Sequence, residues 1–551
     1  MSTRTGGRIL VDQLVAQGCD RIFHVPGESF LAVLDALHDT PQIDLVTCRQ
    51  EGGAAFMACA DGQLTGRPGI AFVTRGPGAT NASIGVHVAR QDSVPMILFI
   101  GDIDRGFRDR EGFQEVDFPA MFAPLAKWAT RIEDAARIPE YLHRAYRVAM
   151  SGRPGPVVIA LPEDMLMDAV EAVDRPFAHY AEQPIDPRRV DQLLDMVETA
   201  RRPVAIVGGA AWGLRASEAF SAFAEAAGIP VVAAFRRQDA VDNALPVYAG
   251  NLGYGPNPKL VGRVKDADLL LVIGPRLGEA TTDGYTLVTP EHPGQTLIHI
   301  HPDPDELGRT YRTDMALCAD VANACEALAN AAPRLRHRTD GGEAHADYLA
   351  WSTPQPRDTA LDLAQVVGHM VEALPSDAII CNGAGNFSGW WHRYWPYAGP
   401  GTQLAPTAGA MGYGLPAAIA ASLRRPRQLA IAVAGDGDVL MNGQELATAV
   451  QHGCDLLVLV VDNGNYGTIR MHQEREFPER VSGTQLSNPD FAAWARAFGG
   501  WAVMVERTAA FAPALAQAMA VKGARLLHLK TDVELITAGT TLSAVKQAKR
   551  G

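Results

Sequence analysis

The sequence predicts an α/β protein built from doubly wound parallel sheets. Several apolar runs have the length of strands but lack strict alternation of apolar and polar residues, which indicates burial on both faces. Stretches rich in Ala, Leu, Glu and Arg, such as 443–453, lie between them and are typical of helices. Strand, helix and strand in this order favour parallel sheets covered by helices. The predicted strands are 69–76, 94–102, 203–210, 267–274, 429–437 and 456–464.

The length of the chain, 551 residues, corresponds to three or four domains of ordinary size. Two polar, proline-containing stretches without clean periodicity, 171–188 and 333–358, are predicted to be linkers. They leave three predicted domains, which are 1–172, 189–332 and 359–551. The patterns in the first and last of these indicate the same α/β class.

Composition excludes several classes of function. The formal net charge is 49 − 62 = −13, which disfavours non-specific binding of nucleic acid. The seven cysteines are odd in number and no pair has CxxC spacing, so we expect neither a disulfide framework nor a zinc site, and we expect a reducing cytoplasm. We find no apolar stretch typical of a signal peptide or a membrane helix, so we expect no membrane partner.

A predicted phosphate and metal site follows the strand at 429–434. That strand runs directly into Gly435, Asp436, Gly437 and Asp438. Ligands of open α/β sheets bind at the carboxyl ends of the strands, where glycines let the backbone approach a phosphate and a helix offers free N–H groups. An Asp at this point is a suitable ligand for Mg²⁺. A Gly-Asp-Gly sequence alone is more often only a turn.

The next predicted strand ends in a second polar group, and the combination is more specific. Asn463 follows Asp436 by 27 positions, which is enough for one helix and one strand. Two adjacent parallel strands would bring both side chains to one edge of the sheet. A carboxylate, an amide oxygen and a backbone oxygen leave room for two phosphate oxygens and a water on Mg²⁺. The predicted metal ligands are Asp436, Asn463 and Asn465.

These motifs, with others in the first third, resemble the thiamine-diphosphate-dependent enzymes of the acetohydroxyacid (acetolactate) synthase-like branch. The resemblance extends over nearly the whole chain. It includes Phe23–Gly27, Arg49–Ala55, Gly76–Asn81, Gln91–Pro95, Phe113–Glu115 and Ala410–Pro416. It implies three doubly wound domains of the pyruvate decarboxylase and acetolactate synthase type, with thiamine diphosphate and Mg²⁺ as cofactors.

The resemblance also implies roles for individual residues. Glu51 falls on the family's activating glutamate, and Met411 on the residue that bends the cofactor. Gln114 and His472 complete the predicted catalytic group. The predicted cofactor-binding residues are Pro26, Gly27, Glu51, Gly385, Asn386, Phe387, Gly409, Met411, Gly435, Asp436, Gly437, Asp438, Asn463, Asn465, Tyr466 and Gly467. The predicted substrate residues are Phe113, Gln114, Lys127, Thr468, Ile469 and His472.

The middle third resembles the region that carries FAD in acetohydroxyacid synthases, but only in part. Gly274–Glu279 stands where those enzymes have Arg-Phe-Asp-Asp-Arg, and His301-Pro-Asp303 where they have Asp-Ile-Asp. The cluster Gly208–Gly213 after a predicted strand is weak evidence for a nucleotide loop. FAD is therefore left open, with a scaffold role as the alternative.

The predicted function is decarboxylation of a 2-oxo acid, with pyruvate as the expected donor, and carboligation to a second carbonyl compound. Gly112 and Phe113 replace the adjacent histidines of the decarboxylase branch, and His472 replaces a Trp that shapes the acceptor pocket of the synthases. The alternatives are a non-carboligating decarboxylase or 2-hydroxyacyl lyase, and a non-catalytic cofactor-binding relative. The resemblance implies a homodimer or tetramer with active sites shared between two chains.

Overall fold

The computed structural model describes residues 3–209, 211–336 and 341–550. The chain divides into two compact units. The first consists of Met1–Ala181, Leu415–Pro426 and Leu440–Cys454, and the second of Glu182–Gly414, Arg427–Val439 and Asp455–Gly551. Within the described ranges, no helix combines the length and the apolar character needed to cross a membrane.

The first third of the chain forms a parallel sheet with helices around it. Its strands are β1 (Thr3–Thr5), β2 (Arg21–His24), β3 (Asp44–Thr47), β4 (Gly69–Val73), β5 (Met96–Asp102), β6 (Trp128–Arg131), β7 (Pro156–Pro162) and β8 (Ala169–Glu171). Its helices are α1 (Gly6–Ala16), α2 (Leu31–His38), α3 (Glu51–Thr65), α4 (Gly76–Asp92), α5 (Phe118–Phe122), α6 (Ile138–Met150) and α7 (Glu163–Met167). The sheet order is β3-β2-β4-β5-β7-β6, and β1 pairs with β8 in a separate antiparallel ribbon.

Helices α3 and α4 pack closely because small residues line both of them. A Cβ added at Gly85 in α4 would lie 2.3 Å from the Cβ of Ala55 in α3. A Cβ added at Gly69, where β4 begins, would lie 1.8 Å from the carbonyl oxygen of Ala58. Larger side chains at these positions would push the backbones apart. These small residues therefore fix the position of α3 against α4 and β4.

The middle third forms a second parallel sheet. Its strands are β9 (Pro203–Val207), β10 (Val231–Ala233), β11 (Tyr248–Asn251), β12 (Leu269–Ile273), β13 (Thr296–His301) and β14 (Met315–Cys318). Its helices are α8 (Pro187–Thr199), α9 (Leu214–Ala227), α10 (Pro258–Lys265), α11 (Val321–Ala331) and α12 (Gly342–Ser352). The order β11-β10-β9-β12-β13-β14 is that of the dinucleotide-binding fold, with its reversal between β9 and β12.

The last third forms a third parallel sheet. Its strands are β15 (Ile379–Asn382), β16 (Gln403–Leu404), β17 (Ala430–Gly435), β18 (Leu456–Asp462), β19 (Trp501–Val505) and β20 (Ala524–Lys530). Its helices are α13 (Leu363–Ala373), α14 (Ser388–Tyr394), α15 (Gly414–Arg424), α16 (Asp436–Asn442), α17 (Leu446–Gln451), α18 (Gly467–Glu476), α19 (Phe491–Ala497), α20 (Thr508–Met519) and α21 (Leu542–Arg550). The order β16-β15-β17-β18-β20-β19 repeats the connectivity of the first sheet.

The predicted fold class is confirmed, since the three six-stranded sheets are parallel and helices lie between their strands along the chain. Five of the six observed strands end one to three residues before the predicted end, because their glycine-containing ends turn away from the sheet, while β5 ends at Asp102 as predicted. Ala210, in the prediction 203–210, lies outside the described residues. The predicted linker 333–358 is wrong in part, since α12 occupies 342–352. Only Ala344 and Tyr348 of α12 are buried, so its sequence shows little periodicity; residues 337–340 of this linker lie outside the described part.

Candidate active site

A pocket of about 250 Å³ opens at the carboxyl ends of β15, β17 and β18. The strand order of this sheet reverses between β15 and β17, and ligands of open α/β sheets bind at such a reversal. The structure brings most of the predicted site residues of the last third to this pocket. Those that line it are Gly385, Asn386, Phe387, Gly409, Met411, Gly435, Asp436, Gly437, Asp438, Asn463, Asn465, Tyr466, Gly467, Thr468 and Ile469.

Asp436 lies at the first position of α16 and is almost fully buried. The donors to its carboxylate are the backbone N–H of Gly437, at 3.0 Å from Oδ1, and Nδ2 of Asn488, at 2.7 Å from Oδ2. Burial is the main cause that raises the pKa of Asp436 to about 6, and the charge of Asp462 adds to it. Within the described ranges both donors to this carboxylate are neutral, and a bound cation would stabilise such a buried charge.

Asn463 and Asn465 supply amide and backbone oxygens at the same edge. The Asn463 Oδ1 accepts from the backbone N–H of Asn465 at 3.0 Å, and the Asn465 Nδ2 donates to the carbonyl oxygen of Asn463 at 3.0 Å. One carboxylate and such oxygens form the donor set that Mg²⁺ accepts when phosphates complete its shell. The residues present therefore fit Mg²⁺, while the individual ligand roles stay predictions.

Asn488 is a residue of this site that the sequence analysis missed. Its Nδ2 donates to Asp436 and, at 2.9 Å, to Oδ1 of Asp462, while its buried Oδ1 has no hydrogen-bond partner among the described residues. The signal in the sequence is weak, because Asn488-Pro-Asp490 resembles an ordinary turn before a helix. Asp490 is indeed the N-cap of α19, where it accepts from the backbone N–H of Ala492.

Asp462 replaces the first Asn of the family motif, and the structure explains why a carboxylate is stable there. Its Oδ2 accepts from Nε2 of His528 and from Nζ of Lys530, both at 2.8 Å. Burial alone would raise the pKa of Asp462, but these hydrogen bonds and charges hold it below its ordinary value. The negative charge that Asp462 introduces is thus balanced by Lys530 at the end of the neighbouring strand β20.

Asp438 connects two turns that line the pocket. Its Oδ1 accepts from the backbone N–H groups of Gly412, at 2.9 Å, and Ala384, at 3.2 Å. Its buried Oδ2 has no hydrogen-bond partner in the part of the chain that the structure describes, and burial raises the pKa of Asp438 to about 7. A Cβ added at Gly383 would lie 2.2 Å from this carboxylate, so only glycine allows the approach. Asp438 thereby fixes the turn beside Met411.

The start of α18 suits a diphosphate. The helix begins at Gly467, and the side chain of its N-cap residue, Tyr466, makes no capping hydrogen bond. Gly467, Thr468 and Ile469 all line the pocket. Free N–H groups and the positive end of the helix dipole favour an anion. The Thr468 hydroxyl lies 3.0 Å from both the backbone N and Oδ1 of Asn386, which joins this helix to the turn after β15.

Glu51 lies in the first unit, at the first position of α3. Its Oε2 accepts from Nδ2 of Asn81 at 2.9 Å, so two of the matching motifs meet here. A Cβ added at Gly78 would lie 3.4 Å from Oε1 of Glu51. The carboxylate is only half-buried. Its activating role stays a prediction.

The other predicted residues of the first third lie in two places. Pro26 and Gly27 follow β2, and a Cβ added at Gly27 would lie 2.4 Å from the Cβ of Thr74. Phe113 is 73% exposed. The backbone of Gln114 is left-handed (φ 64°), and its carbonyl oxygen accepts from the N–H of Gly76 at 3.1 Å.

Lys127 lies at the opposite end of the strands. It directly precedes β6, and its backbone N–H donates to the carbonyl oxygen of Pro156 at the start of β7. Its Nζ donates to the carbonyl oxygen of Ser151 at 2.6 Å. Its substrate role stays a prediction without support from this position.

His472 lies one helical turn after Thr468 and Ile469 on α18. It does not line the pocket itself. Arg475 donates from NH2 to its Nδ1 at 2.6 Å, which leaves the proton of the neutral ring on Nε2. Burial and the charge of Arg475 lower the pKa of His472. The ring therefore offers a hydrogen-bond donor beside the predicted substrate residues.

The turns that follow β9 and β12 lie against each other at the reversal point of the middle sheet. A Cβ added at Gly209, after β9, would lie 2.4 Å from the carbonyl oxygen of Gly274, after β12. A Cβ added at Gly274 would lie 2.3 Å from the carbonyl oxygen of Gly208 and 3.5 Å from the ring of Trp212. The two turns are thus in contact through their glycines. FAD stays a prediction.

Comparison with known proteins agrees with this geometry. Three family models match the chain: the thiamine pyrophosphate enzyme N-terminal TPP binding domain at 4–121, the central domain at 190–328 and the C-terminal TPP binding domain at 383–529. The acetolactate synthase isozyme 2 large subunit of Escherichia coli is 30% identical over 533 residues, which cover 96% of this chain and 95% of that protein.

Two further relatives are also acetolactate synthase large subunits. The acetolactate synthase large subunit of Corynebacterium glutamicum is 30% identical over 93% of this chain and 84% of its own length. That of Parasynechococcus marenigrum is 31% identical over 90% of this chain and 82% of its own length. The chain belongs to the thiamine pyrophosphate enzymes, in their acetolactate synthase-like branch.

Proposed function

We propose that this protein is a carboligase that binds thiamine diphosphate and Mg²⁺, decarboxylates pyruvate and joins the remaining two-carbon unit to a second 2-oxo acid. With two molecules of pyruvate the products are acetolactate and CO₂, which balances six carbons as five and one. The observation that carries the proposal is the pocket in which Asp436, Asn463 and Met411 meet at the reversal of the third sheet. The relatives are acetolactate synthases, and this supports pyruvate as the substrate that would yield acetolactate.

In this proposal the residues of the pocket hold and orient the cofactor. Asp436, Asn463 and Asn465 hold Mg²⁺, and the start of α18 faces the diphosphate. Met411 lines the same pocket and would support the rings of the cofactor. When bound, thiamine diphosphate would supply a carbon nucleophile and a sink for an electron pair.

The residues outside the pocket handle protons and substrate. Glu51 would form a hydrogen bond with a ring nitrogen of the cofactor's pyrimidine. From the family resemblance, we propose that this cofactor is bound in the pocket of a second copy of the chain. Gln114 and the Nε2–H of His472 bind substrate oxygens. Such placed donors and acids contribute about 10²–10⁴-fold to a rate. A homodimer or tetramer and a cytoplasmic location belong to the same proposal.

The experiment is product analysis by mass spectrometry, with pyruvate, thiamine diphosphate and Mg²⁺ added to the purified protein. We expect release of CO₂ and formation of acetolactate. A panel of aldehydes and other 2-oxo acids then identifies the acceptors. Acetaldehyde as the main product would instead indicate a simple decarboxylase, and absence of CO₂ release a non-catalytic relative. Asp436→Ala protein is the control, because it lacks the proposed metal ligand.

A further inference from the structure

Glu445 is a fully buried carboxylate in the first unit for which the proposed mechanism has no use. It lies just before α17, in a segment of the chain that the sequence analysis treated as an ordinary helix. Burial raises the pKa of Glu445. A buried carboxylate is costly unless several donors satisfy it, so its partners indicate what it does.

The donors to Glu445 lie directly before the helix that carries Glu51. The backbone N–H of Arg49 lies 3.0 Å from Oε1 and 3.2 Å from Oε2, and that of Gln50 lies 2.9 Å from Oε1. The Thr448 hydroxyl donates to Oε2 at 2.5 Å. A Cβ added at Gly53 would lie 2.7 Å from Oε1, so the carboxylate lies against the first turn of α3.

A second side chain from the same segment holds the backbone a few residues earlier. The Nε2 of His452 accepts from the backbone N–H of Thr47 at 3.1 Å. Arg49 also donates from NH2 to Oε1 of Gln451 at 2.5 Å. The chain between β3 and α3 is therefore anchored by side chains that lie about 400 positions later in the sequence.

We propose that Glu445 is a positioning residue, which fixes the start of α3 and thereby the carboxylate of Glu51. This inference rests on the proposed function of Glu51. Glu51 immediately follows the two residues whose N–H groups Glu445 accepts. A carboxylate that must meet one ring nitrogen tolerates little displacement, since a misplacement of about 1 Å can cost about 10²-fold in rate.

The test compares Glu445→Gln with Asp61→Asn. The Gln variant keeps the shape of the side chain but removes its charge and replaces one of the two accepting oxygens by an NH₂ group, which leaves the N–H of Arg49 a single acceptor. Asp61 is a buried carboxylate on the same helix, bonded to Arg424 at 2.6 Å, but it lies ten residues beyond Glu51, or about 15 Å along the axis. It therefore controls for the general effect of removing a buried charge from this unit.

Three measurements are made on each variant. Hydrogen exchange of the cofactor-free protein reports protection of the amides of residues 49–53. The exchange rate of the cofactor's C2 proton reports activation without substrate. Steady-state kinetics separate kcat from KM. We expect Glu445→Gln to lose about tenfold in amide protection and to lower both C2 exchange and kcat about 10- to 100-fold, with KM for pyruvate within about threefold.

Asp61→Asn should lower thermal stability but leave the C2 exchange rate and kcat within about twofold of the unchanged protein. If Glu445→Gln does not fold, Glu445→Asp keeps the charge but is one methylene too short to reach both N–H groups, and the same losses are expected. Unchanged protection and C2 exchange in a folded Glu445 variant would overturn the inference. The Glu51→Gln variant then separates two cases. If it is also fully active, the proposed role of Glu51 is wrong; if it is inactive, only the proposed role of Glu445 is wrong.

Discussion

The Nδ2 of Asn488 lies 2.7 Å from Oδ2 of Asp436, so an amide 52 positions along the chain orients the proposed metal ligand. The same Nδ2 lies 2.9 Å from Oδ1 of Asp462, which Lys530 and His528 hold in turn. Side chains that orient metal ligands contribute to affinity although they never touch the metal.

We expect Asn488→Ala to weaken Mg²⁺ binding about 10- to 100-fold, because the carboxylate of Asp436 loses its only side-chain donor among the described residues. The measurement is titration calorimetry of Mg²⁺ at saturating thiamine diphosphate. The matched control is Asn257→Ala, a buried Asn of the middle third that bonds the carbonyl oxygen of Asp347. Equal Mg²⁺ affinity in both variants would show that Asn488 has no such role.

Glu51→Gln should lower turnover at least about 10²-fold while Mg²⁺ and cofactor still bind, because an amide cannot exchange the proton that the mechanism requires. Turnover is followed as CO₂ release from pyruvate, and cofactor binding by calorimetry. The control is Glu140→Gln, a glutamate in the first turn of α6. Near-normal turnover of the Glu51 variant would contradict the proposal that Glu51 activates the cofactor.

His472→Asn should change the preference between two acceptor 2-oxo acids. Gain or loss of one contact in an acceptor pocket is worth about 1–3 kcal/mol in the ratio of their kcat/KM values. The ratio is measured by competition, with products counted by mass spectrometry. Glu476→Gln, an exposed residue of the same helix, is the control. A ratio within twofold of that control would exclude His472 from acceptor recognition.

Stability should fall with acid partly because of His299. Burial and the nearby His301 lower the pKa of His299 to about 4. The unfolded chain has the ordinary value of about 6.5, so it binds a proton between these values while the folded protein does not. Stability is therefore lost as pH falls from about 6.5 to about 4, by up to about 3 kcal/mol.

His299→Gln keeps a donor for the carbonyl oxygen of Pro275, 3.0 Å from the ring, and does not titrate. We expect its urea midpoint to fall less than that of the unchanged protein between pH 7 and pH 4.5. His179→Gln, at an exposed position, should follow the unchanged protein. Parallel curves for His299→Gln and the unchanged protein would contradict this prediction.

Gly85→Ala should destabilise the protein by about 1–3 kcal/mol, because its Cβ would collide with Ala55 and separate α3 from α4. Gly262→Ala is the matched variant, since no atom lies within 4 Å of its added Cβ on α10. There we expect a gain of about 0.5–1 kcal/mol from the better helix former. Apparent melting midpoints measure both, and a Gly85 variant at least as stable as Gly262→Ala would refute the packing argument.

Local pattern was enough to predict the strands and the place where their polar ends meet. Asp436 and Asn463 follow buried strands, and the parallel arrangement brings them to one edge without further information. Neither Asn488 nor Glu445 was predicted, because each bonds to atoms that are distant in the sequence. Asn488 bonds to Asp436, 52 positions earlier, and Glu445 accepts from the backbone of Arg49, 396 positions earlier. Helix α12 was missed because two buried residues are too few for a periodic pattern.

The grouping of Leu415–Pro426 and Leu440–Cys454 with the first 181 residues limits how the gene can be divided. A polypeptide cut at residue 181 would retain Asp61 and Asp20 but lose Arg424, which bonds both. Loss of one partner from a buried ion pair costs about 3–5 kcal/mol. We therefore expect the first 181 residues to be unstable when expressed alone. An exchange of the first third between homologues would also have to include the segments Leu415–Pro426 and Leu440–Cys454.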